Sequence, residues 1–427
     1  MTRKIAYIHS GNSAQTRSFQ DFSHYLDDLI YLNDLPKTDL SHYDAVIVPD
    51  AMDSVRIAAH GEQLNSYVRG GGFLIVFFQG EADWIDVVDL HWRPHNVHDW
   101  LWWTHKARYV ETKQPHPLHP LCAVIPCEAM SWHWGGVYAP DPRAHTILAL
   151  DDGTGCLFMD FTELEGGGRL MVATLDPHSH NGQRFMPATT RFLQGFYPWL
   201  NEQLGIRRPP FNRFTYLQCV HTLDNWEPVE VKASLIESGF EFRAHSHLEL
   251  DADLLAQTDI LYLSSNYDEF FLESVQPLLL EFLTRGGSMI ICGEPQTPWL
   301  PFISPFHAVP ARPFTNMKVR VRDDRAGFFR NMPDGFDGWQ GIFGQYSRGW
   351  SDMPPGAIRL TDVGPIKDPK PADWLWRYPD RSMKGGFVFM HNGDNLIRYP
   401  DHGDATFGLV RDISIGLRSL RLGQALL

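Results

Sequence analysis

Apolar residues along this chain fall in short unbroken runs, separated by stretches where they recur at every third or fourth position. The same succession occurs twice. Lys4-Ile-Ala-Tyr-Ile-His9 is followed by Tyr43-Asp-Ala-Val-Ile-Val-Pro49, by Tyr67-Val-Arg-Gly-Gly-Gly-Phe-Leu-Ile-Val-Phe-Phe78 and, late, by Gly168-Arg-Leu-Met-Val-Ala-Thr174. Echoes follow in the same order: Arg213-Phe-Thr-Tyr-Leu-Gln218, Thr258-Asp-Ile-Leu-Tyr-Leu-Ser264, Phe282-Leu-Thr-Arg-Gly-Gly-Ser-Met-Ile-Ile-Cys-Gly293 and Gly386-Phe-Val-Phe-Met-His391. Short apolar runs rich in β-branched and aromatic residues read as buried strands. Between them, Phe19, Phe22, Leu26 and Leu29 have helical spacing, as do Val229, Leu235 and Ile236. Two further helices are expected to end at Arg69 before Gly70 and at Arg285 before Gly286, where a glycine lets the chain leave the helix.

Strand and helix alternating in this way predict an α/β fold: two tandem flavodoxin-like, three-layer domains with mostly parallel sheets. Right-handed crossovers then place ligand sites beyond the carboxyl ends of the strands. A repeated order of this kind reads as a tandem duplication, with domains at 1–207 and 208–427. The seam falls in Gly205-Ile-Arg-Arg-Pro-Pro-Phe211, where consecutive prolines remove backbone donors.

Composition narrows the function. The formal charge is −14, and neither half is basic. A nucleic-acid partner is therefore not expected, because phosphate binding needs a positive surface. No run of about 20 apolar residues calls for a membrane. Met1–His9 runs directly into a strand pattern, and five cysteines without a C-x-x-C pair fit reduced thiols, so a cytoplasmic protein is expected. No cofactor signature is present, and Ser10-Gly-Asn-Ser13 after the first strand is at most an anion site at a helix N-terminus.

The "YDAVIVPD" strand, the helix running into "YVRGGGFLIVFF" and the late "GGGRLMVATLDPH" together resemble the class I glutamine amidotransferase-like superfamily, in its trehalose-utilisation (ThuA-like) branch. The resemblance covers about the first 80 residues and the late strand of each unit; 84–165 and 299–380 read as elaborated insertions. It implies a cysteine at the turn after the Gly-Gly strand and a histidine after the late strand, since an imidazole beside a thiol lowers its pKa and carries its proton. In the first unit those positions are Phe77 and Thr174, so Cys-His chemistry is lost there. In the second they are Cys292, as nucleophile, and His391, as base, with Asp394 or Glu294 as orienting carboxylate. The turn reads Cys292-Gly-Glu-Pro295, and His391-Asn-Gly-Asp394 stands where the amidotransferases have His-x-Glu.

Histidine and tryptophan are unevenly spread. Fourteen of the 20 histidines precede residue 207, and seven of the 14 tryptophans lie between Trp84 and Trp134 with seven histidines, His91, His95, His98, His105, His116, His119 and His133. Flat rings beside polar groups suit a carbohydrate-like ligand, so Trp100, Trp102, Trp103, His105, Trp132, His133 and Trp134 are candidate binding residues. Asp176, His178 and His180, in the loop after the late strand, and Ser10 complete the candidate set. A metal site at the histidines is a further reading, although no H-E-x-x-H occurs. The preferred expectation is a divergent family member without glutaminase activity that binds a small polar or sugar-like ligand, or a protein partner. The alternative is a Cys-His hydrolase or amidase using Cys292 and His391, and a metal-dependent hydrolase or isomerase ranks behind it.

Overall fold

A computed structural model describes residues 3–95, 112–132, 134–219, 228–332, 344, 346–398 and 408–426. Contacts divide the chain into two compact units, Met1–Arg208 and Pro209–Leu427.

The strands of the first unit are β1 (Ile5–His9), β2 (Asp28–Tyr31), β3 (Ala45–Val48), β4 (Phe73–Phe77), β5 (Trp92–Pro94), β6 (Thr112–Lys113), β7 (Gly136–Tyr138), β8 (His145–Leu150), β9 (Cys156–Phe161) and β10 (Arg169–Ala173). Its helices are α1 (Ser13–Asp21), α2 (Ser54–Ala58), α3 (Gly61–Arg69), α4 (Pro120–Val124), α5 (Pro177–Gln183) and α6 (Pro187–Gln203). The sheet runs β2-β1-β3-β4-β10, all parallel, and continues antiparallel through β9, β7 and β5. Alternate residues of the parallel strands face opposite layers, as the pleat requires. Ala6, Ile8, Val46, Val48, Leu74 and Val76 pack with Leu64 and Val68 of α3. On the other face Tyr7 meets Phe19 of α1, and Phe77 meets Phe192 and Phe196 of α6.

The second unit has β11 (Arg213–Gln218), β12 (Glu241–Ser246), β13 (Ile260–Leu263), β14 (Ser288–Cys292), β15 (His307–Ala308), β16 (Arg320–Val321), β17 (Gly349–Trp350), β18 (Ile358–Val363), β19 (Lys370–Arg377) and β20 (Phe387–His391). Its helices are α7 (Val229–Glu237), α8 (Ala252–Ala256), α9 (Glu269–Ser274), α10 (Gln276–Thr284) and α11 (Leu409–Arg421). The order β12-β11-β13-β14-β20, parallel, then β19-β18-β16, antiparallel, repeats that of the first unit. Phe214, Tyr216, Tyr262, Ile290, Cys292 and Phe389 pack under α7 and α11, while Leu261, Leu263, Met289 and Ile291 pack under α8, α9 and α10. Each unit is thus a three-layer α/β sandwich of flavodoxin-like strand order. The stretches 84–165 and 299–380, whose sequence carried no recognisable pattern, supply the antiparallel strands.

Two local features decide the loop geometry. Gly71 (φ 93°) and Gly286 (φ 99°) release α3 and α10 into β4 and β14. The next residue, Gly72 or Gly287, lies against the ring of Tyr67 or Phe282, where a Cβ would come within 2.3 Å. One expectation is corrected. The spacing Phe19, Phe22, Leu26, Leu29 predicted a single helix, but α1 ends at Asp21 and Leu29 lies in β2. Pairing of Leu29 and Ile30 with Tyr7 and Ile8 satisfies backbone groups across the sheet and outweighs the local period.

Candidate functional site

In the flavodoxin-like order the chain leaves β1 and β3 in opposite directions, which opens a crevice at their carboxyl ends. The first unit has a cavity of about 640 Å³ at the carboxyl ends of β3, β4 and β10, lined by Met52, Phe78, Gln79, Asp176, Ser179, His180, Gln183 and Phe185, among others. The helix α5, which follows β10, brings Ser179, His180 and Gln183 to it.

The carboxylate that positions this helix comes from the end of another strand. Asp50, buried, accepts from the backbone N–H of His178 at 2.6 Å and of Ser179 at 2.9 Å. A carboxylate on the free N–H groups of a helix start is favoured by hydrogen bonding and by the helix dipole. His178, fully buried, bonds Asp50 through Nδ1 (3.3 Å) and the Tyr197 hydroxyl through Nε2 (3.0 Å), and its ring meets Phe77 edge-on. His178 therefore does not take the place of a late-strand catalytic histidine: both nitrogens are spent on the scaffold beneath the cavity.

Asp176 and His180 do come together at the cavity wall. His180 Nδ1 lies 3.1 Å from Asp176 Oδ2, and the indole N–H of Trp132 donates to Asp176 Oδ1 at 2.7 Å. Burial lowers the His180 pKa, but the hydrogen bond and charge of Asp176 outweigh it and leave the imidazole above its usual value. The His180 ring stacks on Phe185. Ser10 is placed otherwise than expected. Its N–H and hydroxyl both donate to Gln15 Oε1, while Asn12 caps α1, so the first turn keeps its polar groups for itself.

In the second unit the sulfur of Cys292 lies in the core and not at an open turn. Cys292 ends a regular strand, is fully buried under α7 and α11, and donates to the Tyr262 hydroxyl at 3.2 Å. Burial pushes its thiol up to about 12. The positive φ at the turn belongs to Gly293 (φ 140°). His391, its neighbour across the ladder, bonds Asp373 Oδ1 at 2.6 Å through Nδ1, and its Nε2 has no partner among the described residues. Asp373, fully buried on β19, also accepts from the hydroxyls of Tyr346 (2.9 Å) and Thr361. The expected arrangement is thus corrected in two respects. The Cys292 thiol is not activated by His391, and the carboxylate that orients His391 is Asp373 rather than Asp394 or Glu294.

Those last two line a separate polar pocket of about 370 Å³, with Ser265, Asn266, Tyr267, Glu269, Gly293, Gln296, Arg348 and Gly393. Burial first, then the negative charge of Asp394, raises the Glu294 pKa against the opposing pull of Arg348. The ladders also correct one alignment. Phe77 pairs with Ala173 as Cys292 pairs with His391, so Ala173, not Thr174, stands where the second unit has its histidine.

Of the tryptophan and histidine set, Trp100, Trp102, Trp103, His105 and His133 lie outside the described residues. Trp132 and Trp134 are buried. His119 pairs with buried Asp160, which Arg169 also grips, and His91 pairs at the surface with Asp89. Among the described residues no group of three or more His, Cys, Asp or Glu is set to hold a metal, and no helix is long and apolar enough to cross a membrane. Sequence reasoning missed Asp50, Asp373 and Tyr262. Asp373 had a signal of its own, a lone carboxylate inside the strand Lys370–Arg377.

No protein-family model matches the chain, and no curated protein matches it. Among solved structures, a glutamine amidotransferase from Thermotoga maritima is similar at 14% identity and a TM-score of 0.29, over 50% of this chain and 99% of that one.

Proposed function

We propose that the chain is a divergent, tandemly duplicated member of the class I glutamine amidotransferase-like superfamily, of the ThuA-like branch. In this reading it has no Cys-His glutaminase activity, and its first unit binds a small neutral, polyhydroxylated ligand. The observation that carries the binding reading is the cavity at the carboxyl ends of β3, β4 and β10, with the Asp176–His180 pair in its wall. The Asp176–His180 pair, with the Trp132 indole N–H on the carboxylate, sets directed donors and acceptors in the wall. The Ser179 hydroxyl and the amides of Gln79 and Gln183 add neutral hydrogen-bonding groups, and Met52, Phe78 and Phe185 supply apolar surface. A sugar-like molecule needs this mixture, hydroxyls against polar groups and C–H faces against rings.

The loss of glutaminase chemistry is supported by a phenyl ring at residue 77 in one unit and a buried, protonated thiol at residue 292 in the other. A thermal-shift screen of polyols, mono- and disaccharides and amino acids tests the reading. A ligand present at 100 times its Kd stabilises by about 2.7 kcal/mol, which is readily seen. The expected result is stabilisation by a polyhydroxylated compound that His180→Ala abolishes, with no ammonia released from glutamine. Glutamine hydrolysis lost on alkylation of Cys292, or a screen in which no polyhydroxylated compound stabilises the protein, overturns the proposal.

A further inference from the structure

The two pockets occupy the same topological place with opposite chemistry. β3 pairs β4 with Val48 beside Val76, and β13 pairs β14 with Leu263 beside Ile291. Counting outward from these ladders, and from Phe77–Ala173 and Cys292–His391, makes Ala51 equivalent to Asn266, Met52 to Tyr267, Phe78 to Gly293, Gln79 to Glu294 and Asp176 to Asp394. All ten residues line their own unit's pocket. Ala51 (φ 57°) and Asn266 (φ 64°) share a left-handed backbone, so the turn itself is repeated. In the second unit the phenyl ring is gone, a neutral amide has become a carboxylate, and Glu269 and Arg348 join the lining. Three carboxylates there face one guanidinium.

Glu269 is spent on its surroundings, since it accepts from the backbone N–H of Gln296 (2.8 Å) and Thr297 (2.6 Å) and from the Thr297 hydroxyl. The carboxylate of Glu294 has no hydrogen bond or ion pair among the described residues; partial burial raises its pKa and the negative charge of Asp394 adds to the rise, while Arg348 and His391 oppose it. Arg348 is exposed and stands 3.9 Å from Asp394, and no ion pair joins it to Glu294 among the described residues. A second observation points to a ligand. Ser265, 7% exposed, lines the pocket with a hydroxyl that has no partner among the described residues. The unpartnered Nε2 of buried His391 lies under the pocket floor, where a Cβ on Gly393 would come within 2.6 Å of it. Buried polar atoms without partners are costly, about 1–3 kcal/mol each, and a site that binds a polar ligand recovers that cost on binding.

We propose that this pocket is a second ligand site, specific for a small organic molecule bearing a primary ammonium group, whose charge is taken by Glu294 and Asp394. An organic cation fits better than a metal ion, because the described carboxylates do not converge on a common coordination point. The inference stands independently of the ligand assigned to the first unit.

Isothermal titration of the full-length protein with 1,4-diaminobutane tests it, with 1,4-butanediol as the uncharged analogue and glutamine as a zwitterion. The diamine binds once per chain, the diol and glutamine bind at least tenfold more weakly, and rising salt weakens the diamine. Glu294→Gln, at an exposed position, leaves the melting temperature unchanged and weakens the diamine at least tenfold; Asp394→Asn weakens it as well, and His180→Ala has no effect. Absence of diamine binding, equal binding of the diol, stronger binding of glutamine, or unchanged affinity in Glu294→Gln each overturns the proposal.

Discussion

Alkylation of the native protein by iodoacetamide separates a working nucleophile from a core thiol. The reagent reacts with thiolate, so its rate follows the fraction of each cysteine that is ionised and reachable. Cys292 is fully buried, and its pKa stands at about 12 against 9.0 for an unperturbed thiol. Three pH units correspond to roughly a thousandfold less thiolate at pH 7.5, before access is considered. Access lowers the rate further, because the sulfur lies under α7 and α11 and is reached only when that layer opens. The half-buried thiols Cys122 and Cys127 need no such opening. The assay is a time course of labelling at pH 7.5, quenched and read peptide by peptide by mass spectrometry, with a urea-unfolded sample as the reference for intrinsic rates. Cys122 and Cys127 are expected to label first and Cys292 at least a thousandfold more slowly than in urea, with buried Cys156 and Cys219 also slower in the native protein than in urea. Labelling of native Cys292 as fast as Cys122 would refute the reasoning and restore the hydrolase reading.

Three further outcomes follow from the geometry. Asp50→Ala leaves the buried N–H groups of His178 and Ser179 without their carboxylate, and should cost the first unit about 3 kcal/mol, roughly 6–12 °C in Tm; a loss under 1 kcal/mol in urea unfolding contradicts the capping role. Gly168→Ala and Gly386→Ala occupy equivalent positions before β10 and β20, where a new Cβ would lie 1.9 Å from the Val68 carbonyl oxygen and 1.7 Å from that of Gly287; each should destabilise its unit by about 2 kcal/mol or more, read as a lowered urea midpoint. Burial raises Cys219 to about 11 and Cys292 to about 12, so the folded chain holds protons that the unfolded chain releases above pH 9. Stability is then full below about pH 9 and falls as pH rises toward 11; a urea midpoint unchanged from pH 8 to 10 contradicts this.

The strands of the parallel cores were legible because burial on both faces of a sheet demands unbroken apolar runs, and such runs announce themselves. Phe73–Phe77 and Ser288–Cys292 are examples, each introduced by a glycine that no other residue replaces at φ near +95°. The antiparallel strands were opaque. Gly136–Tyr138, Thr112–Lys113 and Arg320–Val321 are too short to show a period, and their partners supply the ladder that makes them strands. The site was half legible: Asp176 and His180 are close in sequence and meet across one helical turn, whereas Asp50 reaches His178 from a distant strand end.

The order of strands and helices, the net negative charge and the presence of a phenylalanine at residue 77 where the second unit has Cys292 all lie in local pattern and composition, which a linear chain carries in full. The state of Cys292 does not. A cysteine ending a Gly-Gly strand reads the same whether its sulfur faces an open turn or a helix layer. The difference arises when the pleat turns residue 292 toward Tyr262 and leaves the positive φ to Gly293. Likewise His391 takes its carboxylate from Asp373 because β19 runs antiparallel beside β20 and sets those two residues opposite each other, a pairing that distance along the chain conceals.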